Sequence, residues 1–364
     1  MTTVHLVYPH GSRISCPDAI GRNVGQRLRD SFEVFQYNWN DIGVIHPGAD
    51  DILIGHPHPA PWTIFRRSAR VKGWKRILMI SPYDSDGNQV AYLESVLPHC
   101  DQYLAITGNY WFSGVQNSGF SHWLPKMIHV DLAVDRNDFP LVKKIFNPPG
   151  QRRFVYIGHT GLSKNTAYLS KIARLIPDIE IAWIGSGRVI HGLVSLGFMD
   201  FSTEMARQLI SSYDFMITVG DKDANPATIL ETMAWGLIPI CTPQSGYVNY
   251  PGIVNIPLGD AEEVAKILYQ LQGMPETQLL EMQAANLEML DRHFNWDRLA
   301  GQVIRAIRSD ASPNLDPLSI TSRFKVLWTA LTSSNSFLRP RNLIRYTLPN
   351  YFKPKLKGRS AHFD

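Results

Sequence analysis

Cysteine is scarce in this chain. Three occur in 364 residues, Cys16, Cys100 and Cys241, widely separated and without a Cys-x-x-Cys pair. That excludes a disulfide scaffold and a cysteine-based zinc site, and it fits a reducing cytoplasm. Long apolar runs are missing as well. No window approaches the roughly 18 residues of a membrane span. The start of the chain has only Val4 to Tyr8 as an apolar stretch, with His5 inside it and no basic region before it. No signal-peptide core is expected there. Internal repeats and low-complexity tracts are absent. Net charge is small, +4 overall. It is unevenly placed: residues 313–364 hold nine bases and two acids, +7, which leaves −3 for the rest. A nucleic-acid enzyme more often carries its basic surface on the folded body, so no nucleic-acid partner is expected.

What is present is globular. The hydrophobic fraction is 44% and the charged fraction 19%, and nine Trp, 14 Tyr and 16 Phe supply core volume. The length suggests two domains. In the first half, strands are expected at 4–8, 33–37, 52–55, 76–80, 102–106 and 126–130, with helices near 19–30, 61–71 and 89–97. In the second half, strands are expected at 154–158, 180–185, 215–219, 238–241 and 252–256. Helices fall there near 165–176, 203–212, 227–235 and 261–271. Short apolar strands alternating with amphipathic helices predict an α/β fold with two Rossmann-like parallel sheets, each covered on both faces. Asn147-Pro148-Pro149-Gly150 can continue neither a helix nor a central strand, so 143–153 reads as a linker. The expected domains are 1–142 and 154–310, facing a cleft at the carboxyl ends of the two sheets, then an extension at 311–364.

The stretch from Asp221 to Gly236 carries the chemistry. Asn225 reads as an N-cap, Pro226 as the first helical residue and Gly236 as the helix stop. The open amides of Ala227 and Thr228 would then offer an anion site suited to a diphosphate. Glu231, four residues on, shares a face with Ala227 at an axial offset of about 6 Å. That is about the step from a diphosphate to ribose hydroxyls, which a carboxylate can accept as a pair. Asp223 stands before the helix, where a sugar would lie.

Asp223, seven intervening residues, then Glu231 on a helix ending in Gly236-Leu237-Ile238-Pro239 resembles the donor-site signature of retaining glycosyltransferase family 4, which has the GT-B fold. Asn225-Pro226 fits the same pattern. Further segments agree in order. Phe154 to Gly158, followed by Lys164-Asn165, resembles the opening strand and phosphate-binding Lys of the family's second domain. Ile184-Gly185-Ser186-Gly187 resembles its second strand and Gly-rich turn, and Leu196-Gly197-Phe198-Met199 the strand end beside the nucleobase. Ala133-Val134-Asp135 with Phe139 resembles the segment before the interdomain linker, and Phe294-Asn295-Trp296 the start of a late helix. The resemblance covers about residues 127–308 well and the first domain only generally.

The resemblance implies transfer of a sugar from a nucleotide-sugar donor to a hydroxyl acceptor, with retention at the anomeric carbon. It also implies cell-surface glycan or lipid-linked acceptors. The expected donor ligands are Gly11, His159, Lys164, Phe198, Met199, Asp223, Asn225, Ala227, Thr228 and Glu231. Two positions depart from the pattern: Asp223 replaces the usual Glu, and His159 replaces an Arg. The family's first-domain His is not obvious. His56 and His58 after the third strand, and Tyr83 and Asp84 after the fourth, stand in its place. Lys164, Asp223, His58 and Asp84 are the catalytic candidates. Gly11 marks the first strand-to-helix turn. No metal is expected, since no carboxylate or third His lies at ligand spacing. No cofactor is expected beyond the donor itself. The apolar stripe Leu318, Ile320, Phe324, Leu327, Trp328 and Leu331 is expected to form a helix crossing back to the first domain. Bases interleaved with aromatics in 337–364 suit peripheral contact with an anionic membrane. Two alternatives remain: a nucleotide-sugar epimerase of the same fold, and a non-catalytic nucleotide-sugar or lipid-binding member.

Overall fold

A computed structural model describes residues 2–11, 16–58, 60, 62–84, 91–315, 320, 321, 323, 324 and 328. The chain forms two compact α/β units, each built on a six-stranded parallel sheet. Unit 1 comprises Met1–Ile106, Phe112–Val130 and Ala300–Asp364; unit 2 comprises Thr107–Trp111 and Asp131–Leu299.

In unit 1 the strands are β1 (Thr3–Val7), β2 (Glu33–Tyr37), β3 (Ile52–Gly55), β4 (Arg76–Pro82), β5 (Gln102–Ile106) and β6 (Met127–Val130), in the order β2-β1-β3-β4-β5-β6. β3 and β5 are buried throughout, as continuous apolar runs predict for strands covered on both faces. Helix α1 (Cys16–Leu28) turns Ile20, Val24 and Leu28 inward at four-residue spacing. Glycines on its inner face allow close approach. A Cβ at Gly21 would lie 2.5 Å from Tyr8 Cβ, and one at Gly25 would lie 2.9 Å from Leu6 Cδ2.

Two expected helices differ. The one at 61–71 is only α2 (Ile64–Ser68). The one at 89–97 is a pair of 3₁₀ turns, Ala91–Ser95 and Leu97–His99, where Pro98 denies the chain an α-helical amide. Helix α3 (Gly108–Gly114) follows β5.

Unit 2 holds β7 (Phe154–Ile157), β8 (Ile181–Ile184), β9 (Val194–Gly197), β10 (Phe215–Thr218), β11 (Ile238–Cys241) and β12 (Val254–Asn255), in the order β12-β11-β10-β7-β8-β9. Its helices are α4 (Thr166–Leu175), α5 (Glu204–Ser211), α6 (Ala227–Trp235), α7 (Ala261–Gln272) and α8 (Glu276–Arg292), and α9 (Trp296–Arg308) leads back to unit 1. The chain runs outward from β7 to β8 and β9, then returns to start β10 on the other side of β7. The switch point therefore lies between β7 and β10, and ligands of open α/β sheets collect outside the carboxyl ends there.

Residues 143–153 pack on unit 2. Lys143, Phe146 and Arg152 are buried, and the chain enters the unit earlier, at Asp131. The anchor is Asp214, fully buried before β10. Its Oδ1 accepts from Lys143 Nζ (2.9 Å) and Asn147 N (2.8 Å), its Oδ2 from Asn147 Nδ2 (2.7 Å) and Arg153 N (2.8 Å).

Of the expected carboxyl-terminal stripe, Ile320, Phe324 and Trp328 are helical and exposed. Leu318, Leu327, Leu331 and the basic segment 337–364 lie outside the described residues. Among the described residues no helix is long and apolar enough to cross a membrane.

Candidate functional site

Four loops meet at the carboxyl edge of the unit 2 sheet. After β7 the backbone runs through Gly158, His159, Thr160 and Gly161 to a 3₁₀ turn, Leu162–Lys164. After β8 it turns at Gly185-Ser186-Gly187. These two loops are hydrogen-bonded to each other, Thr160 N to Ser186 O (3.3 Å) and Arg188 N to Thr160 Oγ1 (2.8 Å). A Cβ on Gly185 would sit 2.0 Å from Gly158 O, and one on Gly187 would sit 2.0 Å from Thr160 Oγ1. The Gly-rich turn is thus a demand of loop-on-loop packing. After β10 come Gly220 to Asp223, with Asp221 N bonded to Ser163 O (3.2 Å). The β7 and β10 loops are joined across the switch point.

That junction brings three sequence candidates together. Lys164 Nζ pairs with Asp223 Oδ2 at 2.5 Å, the side chains 14% and 18% exposed. Neither makes another side-chain hydrogen bond among the described residues. Glu231, half-buried on α6, has no side-chain hydrogen bond among them at all. Burial pushes its carboxyl up to about 7, and the nearby Lys164 charge pulls the other way.

His159 borders the group. Gly161 N donates to its Nδ1 (2.8 Å), so the neutral ring carries its proton on Nε2 and offers a donor there. Partial desolvation, then the charge of Lys164, lowers its pKa and favours that neutral form. Tyr156 Oη donates to the His159 carbonyl (2.8 Å) and holds the loop.

Helix α6 presents its amino end beside these residues, with one correction to its cap. The N-cap is Pro226, one residue later than expected, and Asn225 is in the left-handed region (φ +54°). Asn tolerates that conformation, which reverses the chain sharply before the helix. Asn225 is buried. Its N donates to Ser245 O (3.0 Å) and its Oδ1 accepts from Leu132 N (2.5 Å), while its Nδ2 has no partner among the described residues. A proline N-cap has no side-chain acceptor, so the amides of Ala227 and Thr228 are left uncapped; the first bond runs from Ile229 N to Pro226 O (3.2 Å). The helix stops at Gly236 (φ +92°), as expected from the sequence.

The turn Pro243–Ser245, which supports Asn225, was not among the expected elements. Trp111 Nε1 donates to Gln244 O (2.8 Å), and Gly246 lies so near Gly108 that a Cβ on Gly108 would be 2.4 Å from Gly246 O. Gly246, at φ +87°, is the one signal that pointed there.

Phe198 and Met199 follow β9, three strands from β10, a lateral distance of about 14 Å. Phe198 is 61% exposed and Met199 half-buried. They stand apart from the Lys164 group.

In unit 1, Gly11, His58 and Asp84 follow β1, β3 and β4, which are adjacent, so all three sit at one sheet edge. Gly11 is exposed at φ +97°. His58 is half-buried, its Nδ1 accepting from Ala60 N (3.1 Å) and its ring edge-on to Trp39. Asp84 is half-buried. Two neighbours are core residues. His56 is buried, its Nδ1 donating to Pro57 O (3.0 Å), and burial with the nearby His58 brings its pKa down to about 4. Tyr83, expected at the site, is fully buried, with its Oη on Ser118 Oγ (3.0 Å) and its ring against Phe120 and Trp123. Its position after β4 put it at the right edge, but its side chain points into the core. Among the described residues no cluster of three or more His, Cys, Asp or Glu could hold a metal ion.

No family profile and no curated relative matches the sequence. Solved structures do match. A glycosyltransferase from Rickettsia africae ESF-5 superimposes with a TM-score of 0.61 at 13% identity, covering 84% of this chain and 97% of that one. Sucrose-phosphate synthase from Thermosynechococcus elongatus gives 0.62 at 12% identity, covering 85% and 98%. An alpha-glucosyltransferase in complex with UDP and a 13-mer DNA gives 0.56 at 11%, covering 84% and 99%. The fold is that of the GT-B glycosyltransferases.

Proposed function

We propose that this chain is a glycosyltransferase that takes a sugar from a nucleotide-sugar donor and retains the configuration at the anomeric carbon. The donor binds unit 2 and unit 1 serves the acceptor. The observation that carries the reading is the convergence of Lys164, Asp223, Glu231 and the uncapped amides of Ala227 and Thr228 at the β7/β10 switch point. A diphosphate takes the amides and Lys164, a pentose the Glu231 carboxylate, and the transferred sugar Asp223. His159 adds a neutral donor to the phosphates, Asn225 fixes the turn before the helix, and Phe198 and Met199 flank the base.

The acceptor oxygen bonds to the anomeric carbon as the bond from that carbon to the diphosphate oxygen breaks. The departing phosphate, on the same face, takes the acceptor proton. Charge growing on the leaving group is met by preorganised amides and Lys164, without a divalent cation. Gly11, His58 and Asp84 share the carboxyl edge of the unit 1 sheet, with Gly11 a candidate for the donor and His58 and Asp84 catalytic candidates. A glycan or lipid-linked acceptor fits the reading, with the basic segment 337–364 against an anionic membrane surface. The placement of basic charge does not exclude a nucleic-acid acceptor, because an alpha-glucosyltransferase of this fold is seen with DNA.

A thermal-shift panel of nucleoside diphosphates and their sugars is the direct test, since a ligand of the folded state raises apparent stability with affinity. One base should stabilise the wild type and lose its effect in Glu231→Ala. No shift with any of them would remove the reading.

A further inference from the structure

Asp223 and Lys164 hold each other, and both have capacity to spare. Lys164 Nζ has three protons and one carboxylate partner; Asp223 Oδ1 has no hydrogen bond among the described residues. The pair lies beside the uncapped α6 amides, with Glu231 the next carboxylate. A diphosphate arriving there meets a favourable lysine and an unfavourable acid 2.5 Å away from it.

We propose that Asp223 is a specificity-determining residue that selects nucleotide sugars over nucleoside diphosphates at this site. The inference rests on the donor assignment above. A nucleoside diphosphate alone must share Lys164 with a carboxylate and bear its repulsion, which a partly buried site screens weakly. A nucleotide sugar brings hydroxyl donors to the same carboxylate. These hydrogen bonds to an ionised acceptor are strong, and they release Lys164 toward the phosphates. Once the sugar has been transferred, Asp223 loses those donors and reclaims Lys164. The product diphosphate is then held less firmly, which favours its release.

The test compares wild type, Asp223→Asn, Asp223→Ser and Lys164→Ala by calorimetry. The probes are ADP, GDP, UDP and dTDP and a glucose conjugate of whichever binds. Asn is isosteric with Asp, and Ser guards against a poorly folded variant. Removing the acid should tighten the nucleoside diphosphate about tenfold, the scale of one close charge contact in a partly exposed site. The same change should weaken the glucose conjugate, reversing the preference. Lys164→Ala should weaken both. A diphosphate affinity that is unchanged or lower in both Asp223 variants overturns the inference while leaving the donor assignment standing. Unchanged binding in Lys164→Ala, or no binding to any protein, overturns the donor assignment and the inference with it.

Discussion

Unit 2 contains two lysine–aspartate pairs that look alike on a contact diagram and differ in every physical respect. Lys143 and Asp214 are 2% and 0% exposed, and the carboxylate accepts four hydrogen bonds from Lys143, Asn147 and Arg153. The Lys164 and Asp223 side chains are partly open to solvent, and among the described residues each hydrogen-bonds only the other. The first pair is saturated. It fixes the segment 143–153 to the strand that opens the binding edge, and no acceptor capacity remains for a ligand. The second is unsaturated, and a bound group can enter it without leaving a buried charge unpaired. Saturation of the hydrogen-bonding inventory separates scaffold from site here better than residue type or charge does.

The comparison breaks most visibly at Asp214. Replacement by Ala leaves Lys143 buried without its counter-ion and the amides of Asn147 and Arg153 without an acceptor, while Asn147 Nδ2 keeps only Ser212 O. The expected loss of stability is about 3–5 kcal/mol, read by urea or thermal unfolding. A loss under about 1 kcal/mol would mean that the knot is incidental. Lys164→Ala should behave in the opposite way. Unfolding should shift by no more than about 1 kcal/mol, as for a partly exposed pair. Turnover at saturating donor and acceptor should fall at least about 100-fold, the scale of removing one preorganised donor to a developing anion. Equal losses of stability at the two positions would erase the distinction.

Much of the architecture was legible because buried parallel strands are short apolar runs. Phe154–Ile157, Phe215–Thr218 and Ile238–Cys241 lie where the sequence places them. β9 was legible only from the resemblance at Leu196-Gly197, because it is an edge strand with Val194 and Ser195 exposed and has no apolar run. α8 escaped because its inward face uses Gln283 and Asn286 as well as leucine; Gln283 Nε2 bonds Lys143 O and Gly236 O, and Asn286 Nδ2 bonds Gly252 O. At the site, helix α6 was readable from end to end, apart from a one-residue shift at its cap set by Asn225. The partnership of Lys164 with Asp223 was not readable. The two are 59 residues apart, and only the return of the chain at the β7/β10 switch point brings them together. The burial of Tyr83 and His56 was not readable for a related reason. A strand's carboxyl end tells which sheet edge a residue occupies, while the direction of its side chain depends on what packs there.

Glu231 gives the smallest effect and the sharpest version of the comparison, because it sets stability against function in one side chain. Its carboxyl is held near 7, above its ordinary 4.5, chiefly by burial. Between those values the unfolded chain gives up a proton that the folded chain keeps. Stability therefore falls as pH rises from about 4.5 to about 7, and the cost is complete above that window. One pKa unit is worth about 1.4 kcal/mol, so the ceiling is about 3 kcal/mol, and water at the half-buried carboxylate reduces it to about 1–2 kcal/mol. Glu231→Gln keeps the shape and removes the charge. It should match the wild type in unfolding free energy at pH 4 and exceed it by that amount at pH 8. Ribose hydroxyls favour the ionised carboxylate, so nucleotide binding should release protons near pH 6.5, and wild-type affinity should rise with pH up to about 7. The Gln variant should bind weakly with no such dependence. Calorimetry in buffers of different ionisation enthalpy reads the proton release directly. A variant more stable at pH 8 yet equal to wild type in nucleotide affinity would leave the burial of Glu231 without a functional reason.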